Sequence, residues 1–577
     1  MSLLVIASIA LVALVFAYIV YGGLLARLLR LDPNAKTPSV EYCDDSDYIP
    51  TPPRFLISQH FSAIAAAGPI VGPILAAAAF GWLPAFLWIL LGGILIGGVH
   101  DIMSLTASIR HKARSIAEVV REHMSRRSYV IFLSFIWLAL VYIVVAFTDI
   151  TALSFVGVQT LENGEKVSGG GIATASILYI LLPILMGLTL RFLKLPLMVT
   201  TAIFLPLVVL AIWFGTKFPL ELSTIFPIGT YEARKYWDVF ILLYCLAAAL
   251  IPMWLLLQPR GHLGGFFLYF YLIIGMLGLF FAGRKAEYPA FINWNASNGD
   301  TLAPFLFITI ACGAVSGFHS LIASGTTSKQ LQKETDAKPI GYGAMLMESM
   351  VAVLSLSTLM VLTSNSSLLQ GAPKPNLIFS QGIGSYIHEL LGVPYAFAVS
   401  LMLMAFTTFV YDTLDVCTRL GRYIIQELTG MKGTFGAWLG TGLTVGVPLM
   451  FLLSQPSVDA QGKPVQAYMV FWPLFGASNQ LLAALTLLGV TVWLWRTRRA
   501  KWVWVVTGIP TLFMYVMSGW ALVSLCMRMV SAGNYGPVLW VGSLLVLLAI
   551  VMMVEAIVAF TSAEKAPPQP QPAPAVT

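Results

Sequence analysis

Long apolar runs, broken by short polar stretches, set the rhythm of this chain. There are about 15 such segments, each of roughly 19 to 30 residues and so long enough for a helix to cross a ~30 Å hydrocarbon core. Their limits are 3–25, 57–79, 81–105, 128–158, 171–190, 195–215, 236–257 and 264–282, followed by 302–324, 340–363, 394–415, 434–454, 467–491, 502–527 and 537–561. The first has no basic residue ahead of it and is long enough to span, so it reads as an anchor helix rather than a cleaved signal peptide. The final stretch, "APPQPQPAPAVT", is proline-rich and is expected to be disordered.

Composition turns this rhythm into a class. The 577 residues are 58% hydrophobic and 10% charged, where a soluble protein averages roughly 25% charged, and the mean hydropathy is +0.84. No soluble core absorbs that much apolar surface, so the chain is expected to be an all-α polytopic membrane protein. The net charge of +7 then marks loops facing anionic lipid rather than a nucleic-acid partner. None of the 33 Lys and Arg falls within the apolar limits. With the N-terminus outside, 24 of them lie on the cytoplasmic side and 9 on the outer side. The positive-inside rule therefore places the N-terminus out and the C-terminus in.

Several chemistries are missing from the pattern. The five cysteines form no CxxC pair, the seven histidines include no two at i, i+3 or i, i+4 on one helix, and there is no HExxH. No GxxxxGK[ST] loop is present. No metal, cofactor or ATP motor is expected, and no nucleophile–base constellation points to an enzyme.

Two apolar segments carry residues that a simple spanning helix does not need. "HFSAIAAAGPIVGP" (60 to 73) places two Gly-Pro pairs near mid-membrane, where irregular backbone is tolerated only inside protein or along a cavity. "CGAVSGFHSLIASGTTSK" (312 to 329) is again rich in Gly and Ser at similar depth. It lies seven spans later, so it crosses in the opposite direction. Two broken helices in antiparallel orientation are the expected signature of an inverted repeat, and such breaks form the midplane substrate site of secondary transporters. The competing reading is a kinked, tightly packed helix, because Gly68xxxGly72 and Gly313xxxGly317 also let neighbours approach closely.

Ionisable residues inside spans point to cavities or partners. The candidates are His60, His100, Asp101, Asp149, His319, Glu348, Asp412, Asp415 and Glu555. A buried carboxylate beside a histidine could take a proton from one side and release it on the other; a structural anchor is the alternative for each. Asp101, Asp415 and Glu555 sit near span ends, where the anchor reading is stronger. Asp412 and Asp415 are expected to meet Arg419 and Arg422 in a cytoplasmic charge cluster. Ser478, Asn479 and Gln480 fall near the midplane, where their polar groups either bind substrate or bridge helices.

"QHFSAIAAAGPIVGPILAA", "GGVHDIMSL", "GAVSGFHSLIASGTTSKQL", "YDTLDVCTRLGRY" and "WPLFGASNQLLAALTL" resemble the carbon starvation protein A (CstA) family of bacterial inner-membrane carriers. The likeness runs from about residue 3 to 530. Members of that family are associated with peptide uptake during carbon starvation, and relatives act as pyruvate–proton symporters. The resemblance implies a leucine-transporter-like five-plus-five inverted repeat with additional helices. On this chain the halves would be 57–215 and 302–491, with an anchor and acidic loop at 1–56, linking helices at 216–301, two helices at 492–561 and the tail at 562–577. Gly68, Pro69, Gly72, Ser316, Gly317, His319, Ser320 and Asn479 are then the expected substrate region. His60, Asp149 and Glu348 are the proton-coupling candidates. The partners implied are a peptide or pyruvate, a coupling proton or sodium ion, and the bilayer. A nutrient sensor without transport is the alternative of another class, and the short inner loops leave it no signalling domain.

Overall fold

In lipid a segment must satisfy its own backbone, which leaves the helix as the spanning element for runs of this composition. The computed structural model describes residues 1–44, 48–65, 67–296, 299–369, 373–431, 433–454 and 465–565. The tail expected to be disordered lies, from residue 566, outside the described residues. Among the described residues, twelve helices are long and apolar enough to cross a membrane, or up to thirteen with one bent pair taken as a span. Two expected spans fall short of that test. The segment at 236–257 forms a helix at Thr230–Leu250 whose first turns hold Glu232, Arg234, Lys235 and Asp238, and the segment at 302–324 is interrupted.

The helices that position the site begin with α1 (Leu3–Leu29), α2 (Pro53–Ile64), α3 (Gly68–Phe80), α4 (Trp82–Gly92), α5 (Gly98–Arg110) and α6 (Ile116–His123). They continue with α7 (Arg126–Ser154), α8 (Gly169–Leu188), α9 (Leu197–Lys217), α10 (Thr230–Leu250) and α11 (Leu257–Phe281). The remainder are α12 (Leu302–Thr309), α13 (Phe318–Ile322), α14 (Ala344–Met360), α15 (Pro375–Leu391), α16 (Tyr395–Thr429), α17 (Gly433–Leu453), α18 (Ala467–Arg498), α19 (Ile509–Ser531) and α20 (Pro537–Lys565). A two-stranded antiparallel hairpin, Val158–Thr160 with Lys166–Ser168, joins α7 to α8.

Helices α7, α10, α16 and α17 pack on one another as a four-helix scaffold. Helix α11 lies along α2, and α18 lies along α12 and α13. Helices α8 and α9 form a hairpin whose lipid-facing side is exposed. Glycine-bearing π-helical turns at Gly93–Gly97 and Lys338–Gly343 lead into α5 and α14, and the second packs against α5.

Both broken segments are broken in the structure, but the first break is not where the Gly-Pro pairs stand. The chain bends by 41° between α2 and α3, and Gly68-Pro69 forms the opening turn of α3. Proline is tolerated there because its missing N–H would have had no helical partner. The second break spans residues 310–317. The two breaks touch: a Cβ on Gly68 would collide with Cys312, and one on Gly72 with the Thr309 carbonyl and, at 3.2 Å, with Ile310 Cα. Gly442, mid-helix in α17, has nothing within 4 Å of its Cβ position. Gly72→Ala is therefore expected to destabilise the detergent-solubilised protein by about 1–3 kcal/mol through overpacking against backbone. Gly442→Ala should leave the melting temperature unchanged or raise it by the equivalent of up to about 1 kcal/mol; a thermal melt of both variants checks the contrast.

Candidate functional site

An unwound stretch at membrane depth exposes amides and carbonyls that lipid cannot satisfy. At 310–317 the partners come from α18. Gln480 Nε2 donates to the carbonyls of Val315 (2.9 Å), Ala311 (3.3 Å) and Ile310 (3.4 Å). Asn479 Oδ1 accepts from the Phe318 N–H at 2.9 Å, its Nδ2 donates to Ser316 Oγ at 3.1 Å, and its carbonyl accepts from the Gly317 N–H at 3.2 Å. Ser320 closes the far side, donating to the Gly317 carbonyl at 2.7 Å and sharing a 3.1 Å hydrogen bond with Thr486. Of the two readings of the Ser-Asn-Gln run, the structure displays helix bridging for Asn479 and Gln480. Ser478 turns back on its own helix.

Behind this break lies a buried chain of titratable groups. His100 Nδ1 is 2.7 Å from Asp101 Oδ1, and Asp101 Oδ2 is 2.7 Å from His319 Nδ1. His319 Nε2 in turn stands 3.1 Å from Glu348 Oε2. All four side chains are at most 1% exposed. The last contact is close but not aligned, so neither Glu348 oxygen has a hydrogen-bond donor. The chain joins α5, α13 and α14 beside the break. Asp101, expected to be an anchor near a span end, is its central member. The fold decides this, since a π turn and a broken helix bring residues 101, 319 and 348 together.

A second buried cluster sits between α2, α10, α11 and α16. Arg260 Nε is 3.0 Å from Asp412 Oδ1 and its Nη1 is 2.5 Å from Asp415 Oδ2. Tyr244 donates to Asp415 at 2.7 Å, and the guanidinium lies over the rings of Tyr179, Tyr244 and Tyr411. Ser62, one turn before the first break, donates to Asp412 Oδ2 at 2.5 Å. Two expectations are corrected here. Arg260, placed in a loop by the apolar limits, is fully buried inside α11, where two carboxylates balance its charge. Asp412 and Asp415 pair with Arg260 rather than with Arg419, which instead donates to the Ala248 and Ile251 carbonyls at the end of α10 (2.8 and 2.7 Å).

His60 lies between the two clusters. Its Nδ1 is 2.8 Å from Thr327 Oγ1, while Nε2 is buried without a partner. It lines a cavity of about 20 Å³ with Gln59, Gly261, Thr326, Thr327 and Asp412, room for a single water. Thus Gly68, Pro69, Gly72, Ser316, Gly317, Ser320 and Asn479 converge where the breaks meet, with His319, Glu348 and His60 beside them. Asp149 is elsewhere. It is ion-paired with Arg234 and accepts from the Tyr468 N–H at 2.7 Å, tying α7 to α10 and α18. Sequence reasoning missed Arg260 because it fell between the apolar limits 236–257 and 264–282, whereas the helix α11 already begins at Leu257.

The family model described as carbon starvation protein CstA matches residues 2–374 and 365–521. The chain belongs to the CstA family. It is 32% identical to the peptide transporter CstA of Campylobacter jejuni over 86% of this chain and 77% of that protein. It is also 32% identical to the pyruvate/proton symporter BtsT of Escherichia coli, over 90% of this chain and 81% of that one. Among solved structures it is similar to the Eremococcus coleocola manganese transporter in complex with an aromatic bis-isothiourea compound, with a TM-score of 0.46 and 14% identity over 91% of this chain and 99% of that one.

For this CstA-family chain the two classes of ion pair should separate in a thermal melt. Arg260→Ala strands Asp412 and Asp415 in a dry interior and is expected to cost about 3–5 kcal/mol. Arg284→Ala breaks a pair with Glu389 in which the acid is 42% exposed, and it should move stability by no more than about 1 kcal/mol.

Proposed function

We propose that this chain imports small nutrients across the bacterial inner membrane by secondary active transport coupled to protons, with peptides as the first substrate class and pyruvate as the second. Family membership supports the class, since relatives at about 30% identity carry both names. The observation that carries the coupling is His319, held between Asp101 and Glu348 beside the second break. A proton gained or lost in that triad changes which of its oxygens has a donor. It thereby changes the packing of α5, α13 and α14, the elements that would move. The substrate carboxylate would lie at the N-terminus of α3, where the helix dipole favours an anion. For a peptide, a carboxylate of the triad could also receive the free ammonium. Asp412–Ser62 would tether α2 to the scaffold helix α16 during the movement.

The same reading supports a division into halves that differs from the one expected. The first half would comprise α2 to α7 with α10 and α11, and the second α12 to α18, leaving the α8–α9 hairpin as the insertion. What supports it is that α10 and α17 then hold matching places in the scaffold, and α11 and α18 matching places along the two broken helices. The N-terminus would be outside and the C-terminus cytoplasmic.

In proteoliposomes, an inside-alkaline gradient is expected to drive accumulation of a labelled dipeptide. His319→Gln and Glu348→Gln should reduce that accumulation to the level of protein-free vesicles while retaining exchange of preloaded substrate. Pyruvate uptake that excess dipeptide fails to block would promote the second substrate class. Accumulation that follows a sodium gradient and ignores the pH gradient would sink the proton reading.

A further inference from the structure

The loop between α5 and α7 holds a pair of histidines that the transport reading does not use. His111 follows the last turn of α5, and His123 ends α6. Twelve positions apart in sequence, they show no ligand spacing, yet their Nε2 atoms face each other at 2.9 Å. His111 Nδ1 is 2.6 Å from the Ala107 carbonyl. A carbonyl only accepts, so Nδ1 carries the proton and Nε2 presents its lone pair, the arrangement by which metal-binding histidines are held in one tautomer. The His111 ring is wedged edge-on against Trp493, with centroids 5.5 Å apart. Arg496 anchors the end of α6 to α18 by donating to the His123 carbonyl at 2.6 Å. Both rings are buried and His123 Nδ1 has no partner. Glu122, exposed beside them, completes a set of three ligand atoms lying within 4.8 Å of one another.

The geometry points to a divalent transition-metal site of the zinc class, with His111 Nε2, His123 Nε2 and the Glu122 carboxylate as ligands and a fourth position open to water. Two imidazoles on one tetrahedral zinc, with bonds of about 2.0–2.1 Å, place their nitrogens about 3.3 Å apart, so a shift of a few tenths of an ångström accommodates the ion. Imidazole with carboxylate suits zinc, and a neutral ring is the binding form. Burial, then the neighbouring His111, then Arg496 push the His123 ring down to about 3. Burial also lowers His111. The Glu122 carboxylate offsets the positive field of Arg110, Arg114 and Arg496.

Occupancy would pin the end of α5 to α6. This loop also touches the moving side of the second break: the Ile116 N–H donates to Ser324 Oγ at 3.2 Å, and Ser108 Oγ donates to Ser328 Oγ at 3.0 Å. A bound ion would therefore stiffen the inner face of the α13 segment and slow transport; this consequence, unlike the site itself, rests on the transporter reading.

The test uses the purified full chain, stripped with chelator and titrated with Zn²⁺ by calorimetry and with Co²⁺ by visible absorption. Binding of one equivalent with cobalt bands of nitrogen–oxygen coordination is expected. His111→Ala with His123→Ala should abolish binding, and Glu122→Gln should weaken it by about 10-fold or more. If the double variant fails to elute as the wild type does, His123→Gln alone must show the loss. No binding, or binding unchanged in these variants, would leave a plain N–H···N hydrogen bond and overturn the site. Uptake in metal-free vesicles is measured separately. Cytoplasmic-side Zn²⁺ should slow uptake by the wild type and not by the double variant, and binding without that effect overturns the locking role alone.

Discussion

The interruption of a helix where no water can satisfy its backbone is the constraint around which this molecule is organised. Eight residues, 310–317, leave the helical ladder inside the membrane-spanning body. They are tolerated because Asn479 and Gln480 on α18 supply donors and acceptors aimed at them. That requirement explains why α18 is buried throughout its most apolar window although its sequence reads as an ordinary long span. It also explains the small residues around it. Gly317 must let the α18 backbone approach, and Gly68 and Gly72 must let the two breaks meet.

Once the backbone is open there, the neighbouring side chains inherit a dry and polar setting. His100, Asp101, His319 and Glu348 form a buried chain, and removing Asp101 or His319 from its middle leaves the end group beyond it without a charged partner. On the other face, Arg260 is balanced by two aspartates and three tyrosine rings, while Ser62 ties the first broken helix to the same cluster. Each cluster therefore holds one of the two broken helices. One cluster joins the second broken helix to α5 and α14, and the other ties the first broken helix to the scaffold helix α16.

Much of this is legible in the sequence. Apolar runs of span length require helices in lipid, and Gly-Pro pairs or Gly-Ser clusters inside them mark breaks because no simple span benefits from them. The parity of spans set the expectation that the two breaks run in opposite directions, and the long motifs carried the family. Less legible was which side of a feature mattered. Gly68-Pro69 signals a break correctly, but it opens the helix that follows, because proline stabilises a first turn. Arg260 was hidden by the rule that charges avoid spans; the rule fails where two carboxylates on another helix compensate.

The chain by itself determined where helices must form and where they cannot continue, and it set the expectation for the side its positive loops take. These follow from hydropathy, backbone chemistry and charge acting over a few tens of residues. Only the tertiary structure decided which polar groups are partners. Asp101 and His319 are 218 positions apart, Ser62 and Asp412 are 350 apart, and the break at 310–317 is satisfied from residue 480. In a low-dielectric interior a polar group's chemistry is set by whatever it touches, and touching is a property of packing rather than of sequence order.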